Sequence, residues 1–304
     1  MNNHTLNDIR IAHLILAHKD PEFIHYLAER LSAFSDVYIH IDKRKDESEF
    51  KKRLKNNRHC FFTKKRFRCD WGGSGAINAE IELIKNAQSN TAYDRLIFLQ
   101  GADYPIKSDH FIINYFKNNR DIEFIRGCCC TNSSNSYFYG KCRYYMYYNN
   151  PNFIKRAINS FTFKSKITLR KGYINDLGKR YNIYWGSAQW ALTGKCANYI
   201  IDFFDKHKKF NKWFKHAFPA DELYFTTVVM NSPFRNYTSH SGPEKEKEGL
   251  VNWMNLDYFV YLPGKIKIFT MEDYELLKSR PELYARKMDV QNSMGLIKQL
   301  DLLE

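Results

Sequence analysis

Asp103 stands in Gly101-Ala102-Asp103-Tyr104-Pro105, immediately after the apolar run Arg95-Leu96-Ile97-Phe98-Leu99. A run that short is typical of a strand buried on both faces. It puts the carboxylate just beyond the strand's carboxyl end, where open α/β sheets place their ligands. The competing reading is a turn cap. Asp42-Lys43-Arg44 has the same placement after Val37-Tyr38-Ile39-His40-Ile41. Glu222 follows Pro219 and Asp221 at a helix start, in the first turn, where the macrodipole favours an anion. Taken alone, such an acid reads as structural. Arg286-Lys287 can hold an anion or be a solvated basic pair, and Trp190 alone reads as a core residue. Tyr144, Tyr145, Tyr147 and Tyr148 can be platforms for sugar rings or packing beneath a loop. Cys128-Cys129-Cys130 are too close for a disulfide framework, and no pair of CxxC motifs exists, so free thiols and no zinc site are expected.

The elements that must position these groups alternate. Ile9 to Ala17 reads as a buried strand, His18-Lys19-Asp20-Pro21 as a turn into a helix lined by Phe23, Leu27 and Leu31, and Val37 to Asp42 as a second strand. Strand, helix, strand implies a parallel, right-handed unit of the nucleotide-binding kind. Lys43 to Arg68 is strongly basic and reads as a solvated face or edge strand in preference to a specific phosphate site. The turn Trp71-Gly72-Gly73-Ser74 leads into a helix in which Ile77, Ile81 and Ile84 recur through Ala87, Ser74 is a candidate cap, and Glu80, Glu82 and Lys85 lie mostly elsewhere around it. A helix over 109–118 and a strand over 122–125 follow. Residues 128–179, rich in Ser, Asn, Tyr and basic side chains, read as loops and short helices. The stretch 269–277 reads as a capping segment entering a helix. The expected architecture is one α/β domain in two halves, over about 1–127 and about 128–304.

Composition narrows the classes. A chain of 304 residues can bury a sizeable core. With 47 Lys plus Arg against 33 Asp plus Glu, the formal charge of +14 attracts anions: nucleotide phosphates, nucleic acid or an anionic membrane face. The charge is spread along the chain, and neither an RNA-binding aromatic signature nor a helix-turn-helix pattern occurs, so no nucleic-acid partner is expected. No stretch reaches the ~20 apolar residues of a membrane span, and the N-terminus lacks a signal-peptide core. The expectation is a cytoplasmic protein able to sit at the inner face of the membrane.

Two long motifs, WGGSGAINAEIELI and LIFLQGADYPIKS, resemble the core-2/I-branching N-acetylglucosaminyltransferase and peptide O-xylosyltransferase family, glycosyltransferase family 14. Phe218-Pro219-Ala220-Asp221-Glu222 through Thr227, with Asn231-Ser232 behind, resembles the family's Pro-x-Glu-x-x-x-x-Thr with a trailing Asn-Ser. Leu283-Tyr284-Ala285-Arg286-Lys287-Met288 is similar to its Phe-Ala-Arg-Lys-Phe, and Trp185-Gly186-Ser187-Ala188-Gln189-Trp190 to its Gly-Ser-x-Trp, with Gln189-Trp190 where xylosyltransferases carry Asp-Trp.

The resemblance implies an A-type glycosyltransferase fold, with a mostly parallel sheet flanked by helices: a nucleotide-sugar-binding half over about 1–127, and an acceptor-binding and catalytic half over about 128–304 in which residues 128–179 shape the acceptor site. It also implies inverting transfer from a UDP-sugar, GlcNAc first, to an oligosaccharide or lipid-linked glycan in bacterial surface polysaccharide assembly. Xylose or galactose transfer is the alternative, and a basic nucleic-acid-binding protein is the rival from another class. Glu222 is then the base; Asp42, Arg44, Asp103, Arg286 and Lys287 bind the donor; and Trp185, Gln189 and Trp190 bind the acceptor. Relatives carry an Arg near the position of Val251, a phosphate contact that Lys245 or Lys247 would have to replace. No cofactor or divalent metal is implied, because the Asp-x-Asp place holds Asp103 alone.

Overall fold

In the computed structural model, which describes residues 9–247 and 255–303, the first half alternates strand and helix: β1 (Ile11–Ala17), α1 (Pro21–Ser32), β2 (Asp36–Ile41), α2 (Ser48–Leu54), β3 (Cys60–Phe62), α3 (Gly75–Asn90), β4 (Arg95–Gln100), β5 (Asp103–Pro105) and α4 (Asp109–Asn118). The middle carries β6 (Gly127–Cys129), α5 (Ser136–Arg143), α6 (Phe153–Ser165), β7 (Tyr173–Asp176), β8 (Lys179–Asn182), β9 (Tyr184–Gly186) and β10 (Trp190–Thr193). Then come α7 (Gly194–Lys206), α8 (Lys208–Trp213), α9 (Ala220–Met230), β11 (Asp257–Phe259), β12 (Tyr261–Leu262), β13 (Lys265–Ile266), α10 (Tyr274–Ser279), β14 (Tyr284–Arg286) and α11 (Val290–Leu300).

The main sheet runs β10-β4-β1-β2-β3, with β4, β1, β2 and β3 parallel and β10 antiparallel at the edge. Side chains alternate across a strand, so the apolar runs feed two cores. Leu14, Leu96 and Phe98 pack with α3, α7 and α9, whereas Ile15, Ile97 and Leu99 pack with α1, α4 and α11. That is a mixed α/β sandwich of the kind a glycosyltransferase fold uses. A second sheet, β11-β14-β5, leaves the end of β4 and ties the C-terminal block to Asp103.

Three local expectations are corrected. Residues 122–125 form no strand, only bridges from Glu123 to Thr238 and from Phe124 to Ala191. The reason is the buried Arg95, whose guanidinium takes the carbonyls of Asn119, Arg120, Ile122 and Ala191 and bends the chain around itself. Ser74 does not cap α3; its N–H and hydroxyl turn to Asn149 Oδ1. Glu80, expected to lie away from the apolar residues of α3, is fully buried with them, accepting a hydrogen bond from Trp190 Nε1 at 3.0 Å.

Candidate active site

A cleft of about 860 Å³ opens at the carboxyl ends of β1, β2 and β4, lined there by His18, Lys19, Asp42, Arg44 and Gln100. Its volume suits a small-molecule ligand. The opposite wall is the β12–β13 hairpin with Lys265 and Lys267, together with Arg286 and Lys287 from the end of β14. Of the predicted donor residues, Asp42, Arg44, Arg286 and Lys287 therefore meet in one place. Sequence reasoning missed Lys19, Lys265, Lys267 and Trp71, although Pro263-Gly264 signals the hairpin that carries two of them.

Asp42 is spent within the floor. It accepts from Arg44 Nε at 3.0 Å and Nη2 at 2.6 Å, and from the backbone N–H groups of Arg44 and Cys69. Burial pushes its carboxyl up, but the Arg44 bonds and the two N–H donors override this and bring it to about 2. Arg44 also reaches Asp70 at 3.0 Å.

Asp103 is fully buried and does not line the cleft. It accepts from Arg286 Nη1 at 2.6 Å and from the Gln100 N–H at 2.7 Å. The donor-contact expectation is corrected accordingly: Asp103 stands behind the wall and aims Arg286 into it. Asp257 lies in the same buried cluster, and among the described residues neither of its carboxylate oxygens has a hydrogen-bond partner. Burial, reinforced by Asp103, pushes its carboxyl well above the usual range. Lys287 is lowered by burial and then by Lys19 and Arg286, the mark of cations crowded together.

Glu222 sits in the first turn of α9, half-buried, next to Asp221, which lines the cleft. Its Oε2 accepts from Trp185 Nε1 at 2.7 Å. Thr227 pins β9 against α9: its hydroxyl accepts the Tyr184 N–H at 3.0 Å and donates to the Tyr184 carbonyl at 3.2 Å, and this sets the Trp185 ring beside Glu222. Burial, then the Asp221 charge, raise the Glu222 carboxyl to about 7, against Lys141 and the Trp185 bond. The macrodipole expectation is thereby corrected, because desolvation outweighs the helix end.

The Trp71-Gly72 turn fixes where α9 begins. The Gly72 carbonyl accepts the Ala220 N–H at 3.0 Å. Gly72 has φ +67°, and a Cβ there would lie 2.2 Å from the Phe218 ring, so only glycine fits. Phe218 is in turn stacked on Tyr148 at 3.8 Å.

The acceptor assignments change most. Trp190 is buried, stacked on Phe98 at 5.4 Å and tilted against Phe225 at 5.5 Å, so it is a core residue with no face for a sugar. Trp185 is equally buried, and its contact is with the carboxylate of Glu222. Gln189 is buried, accepts from the Ser187 hydroxyl at 2.9 Å, and lies near enough to Asp103 to favour its ionised form. Val251 lies outside the described residues. Lys247 pairs with Glu244 at 3.4 Å, and neither it nor Lys245 lines the cleft. Among the described residues, no group of three or more His, Cys, Asp or Glu is arranged to hold a metal.

The family model described as Core-2/I-Branching enzyme matches residues 11–256. The chain belongs to that family, glycosyltransferase family 14. The matched span holds Asp42, Arg44, Asp103, Trp185 and Glu222, and stops before Arg286 and Lys287. Among curated relatives of this Core-2/I-Branching member, xylosyltransferase 1 of Rattus norvegicus is 22% identical over 288 residues, covering 87% of this chain and 31% of that protein. A xylosyltransferase of Ciona intestinalis is 21% identical over 280 residues, covering 87% and 30%. Xylosyltransferase oxt of Drosophila melanogaster is 29% identical over 127 residues, covering 39% and 14%. The chain thus spans less than a third of the length of these relatives.

Proposed function

We propose that the protein is an inverting glycosyltransferase that moves a sugar, N-acetylglucosamine in the first instance, from UDP to a glycan hydroxyl. The observation that carries this reading is the Glu222 carboxylate, held by Trp185 Nε1 at 2.7 Å one residue from the wall of a cation-lined cleft at the strand ends, where burial raises it to about 7. A base with a pKa near the working pH is the most effective acceptor of a hydroxyl proton. In the reaction, Glu222 takes the proton of the acceptor hydroxyl as its oxygen attacks the anomeric carbon from the face opposite the leaving group. The bond from that carbon to the diphosphate breaks, and UDP departs with the electron pair. Arg286, Lys287 and Lys19 offset the charge that develops. Asp103, committed to Arg286 and to a backbone N–H, acts through that arginine, so the transfer proceeds without a divalent metal. Surface polysaccharide assembly is the process in which such a step would serve. UDP-xylose is the second donor to consider, because the curated relatives matched over most of this chain are named xylosyltransferases.

The test is slow hydrolysis of a panel of UDP-sugars by the purified protein. One preferred donor, with release abolished in Glu222→Gln, is the expected result. No release from any donor, together with no UDP binding by calorimetry, would overturn the reading.

A further inference from the structure

Helix α6 is packed the wrong way round for a globular protein. Its buried residues are the polar Asn159 and Thr162, and Asn159 is clipped to Tyr147, accepting its N–H at 2.7 Å and donating to its carbonyl at 3.1 Å. The apolar residues point outward: Phe153 is 86% exposed, Ile154 66%, Ile158 40% and Phe161 63%. Phe153, Ala157 and Phe161 recur every fourth residue, and so do Ile154 and Ile158, so these side chains form one stripe. Leu169, 67% exposed, extends the apolar surface beyond the helix. A soluble helix buries such a stripe.

Charge indicates what covers it. The sequence contains no Asp or Glu between Glu123 and Asp176, while Arg156, Lys164 and Lys166 flank the stripe on exposed positions. An apolar face flanked by cations of its own segment is what an interfacial helix presents to anionic lipid headgroups, its rings entering the acyl boundary while the basic side chains stay at the phosphates. A second copy of this chain is a poor occupant, because pairing two such faces brings like charges together.

We propose that α6 docks the protein on an anionic lipid bilayer. The docked helix adjoins the active site through its inward, polar side. A recess of about 260 Å³ joins Arg156 and Asn159 of α6 to Arg44, Asp70 and Trp71 of the cleft, and Trp71 is itself 80% exposed at the rim. Docking therefore keeps the cleft close to the bilayer surface. If the cleft transfers sugars as proposed, the acceptor it meets there is a lipid-linked glycan.

The experiment is flotation of the full chain with vesicles of phosphatidylglycerol and of phosphatidylcholine. The expected result is binding to the anionic vesicles that weakens with salt, and at least tenfold weaker binding to the neutral ones. Phe153→Ser with Phe161→Ser, and separately Lys164→Glu with Lys166→Glu, should each reduce binding at least tenfold while circular dichroism and UDP affinity stay unchanged. Because every one of these positions is exposed, the fold is expected to hold. Absence of anionic-vesicle binding, or equal binding by the variants, would overturn docking. So would a dimer in light scattering that the serine pair dissolves. Vesicle binding alongside failure to turn over any UDP-sugar would leave docking standing and remove only the lipid-linked acceptor.

Discussion

Trp185 Nε1 meets Glu222 Oε2 at 2.7 Å, and Lys141 Nζ lies 3.9 Å from the centre of the same indole ring. The carboxylate is therefore aimed by a donor that cannot itself be deprotonated at working pH, while a cation polarises the ring that donates. Glu222→Gln keeps the shape and the acceptor oxygen but removes the base. Turnover should fall by ~10² to 10⁴ with UDP affinity nearly unchanged. Retention of more than half the activity would remove Glu222 from the reaction.

The same carboxyl predicts a pH profile. A base must be deprotonated, so kcat/KM should rise with pH, bend near 7 and level off above it. The Trp185 bond favours the charged form, so Trp185→Phe should move the bend upward. A bend that stays in place would mean that the indole does not tune the base.

Stability should run the opposite way. Because the folded Glu222 carboxyl is raised, its contribution favours the fold at low pH and is lost as pH climbs from its usual value near 4.3 through about 7. Glu222→Gln should melt higher than the parent at pH 8 and about equally at pH 4. Equal melting at both would indicate a solvated side chain.

Much of this fold can be read from local pattern. The apolar runs of β1, β2 and β4 and the helical spacing of α3 are short-range signals, and burial on both faces leaves them little freedom. Glu80 defeats the pattern because its partner, Trp190, lies 110 positions away, and an acid opposite an indole N–H can be buried where an unpaired acid cannot. Trp190 stands in a family motif, yet the phenyl rings on either side of it show a packing role that spacing cannot reveal. The α6 stripe has a perfectly regular period; only tertiary context shows that its polar side faces inward.

Trp190→Ala should accordingly act through the core. Emptying so large a site typically costs about 3–5 kcal/mol, so the melting temperature should drop sharply, and any activity that survives should show donor and acceptor Michaelis constants altered alike. A selective rise in the acceptor constant with unchanged melting would return Trp190 to the acceptor site.

The Asp103–Arg286 pair makes the last prediction. Arg286 lines the cleft through a guanidinium whose Nη1 is committed to Asp103 at 2.6 Å, while Lys287 beside it carries a charge already disfavoured by burial and by its cationic neighbours. An incoming diphosphate relieves that crowding, and Arg can present its remaining N–H groups as a fork where Lys offers a point charge. Arg286→Ala and Lys287→Ala should each weaken UDP binding and slow turnover. Asp103→Asn should do the same through a misaimed arginine, although Asp103 does not line the cleft. Activity should persist in excess EDTA, because these cations supply the charge that a metal would. An enzyme silenced by EDTA and revived by manganese would overturn that account, and Asp103 and Asp42 would be the first carboxylates to examine as ligands.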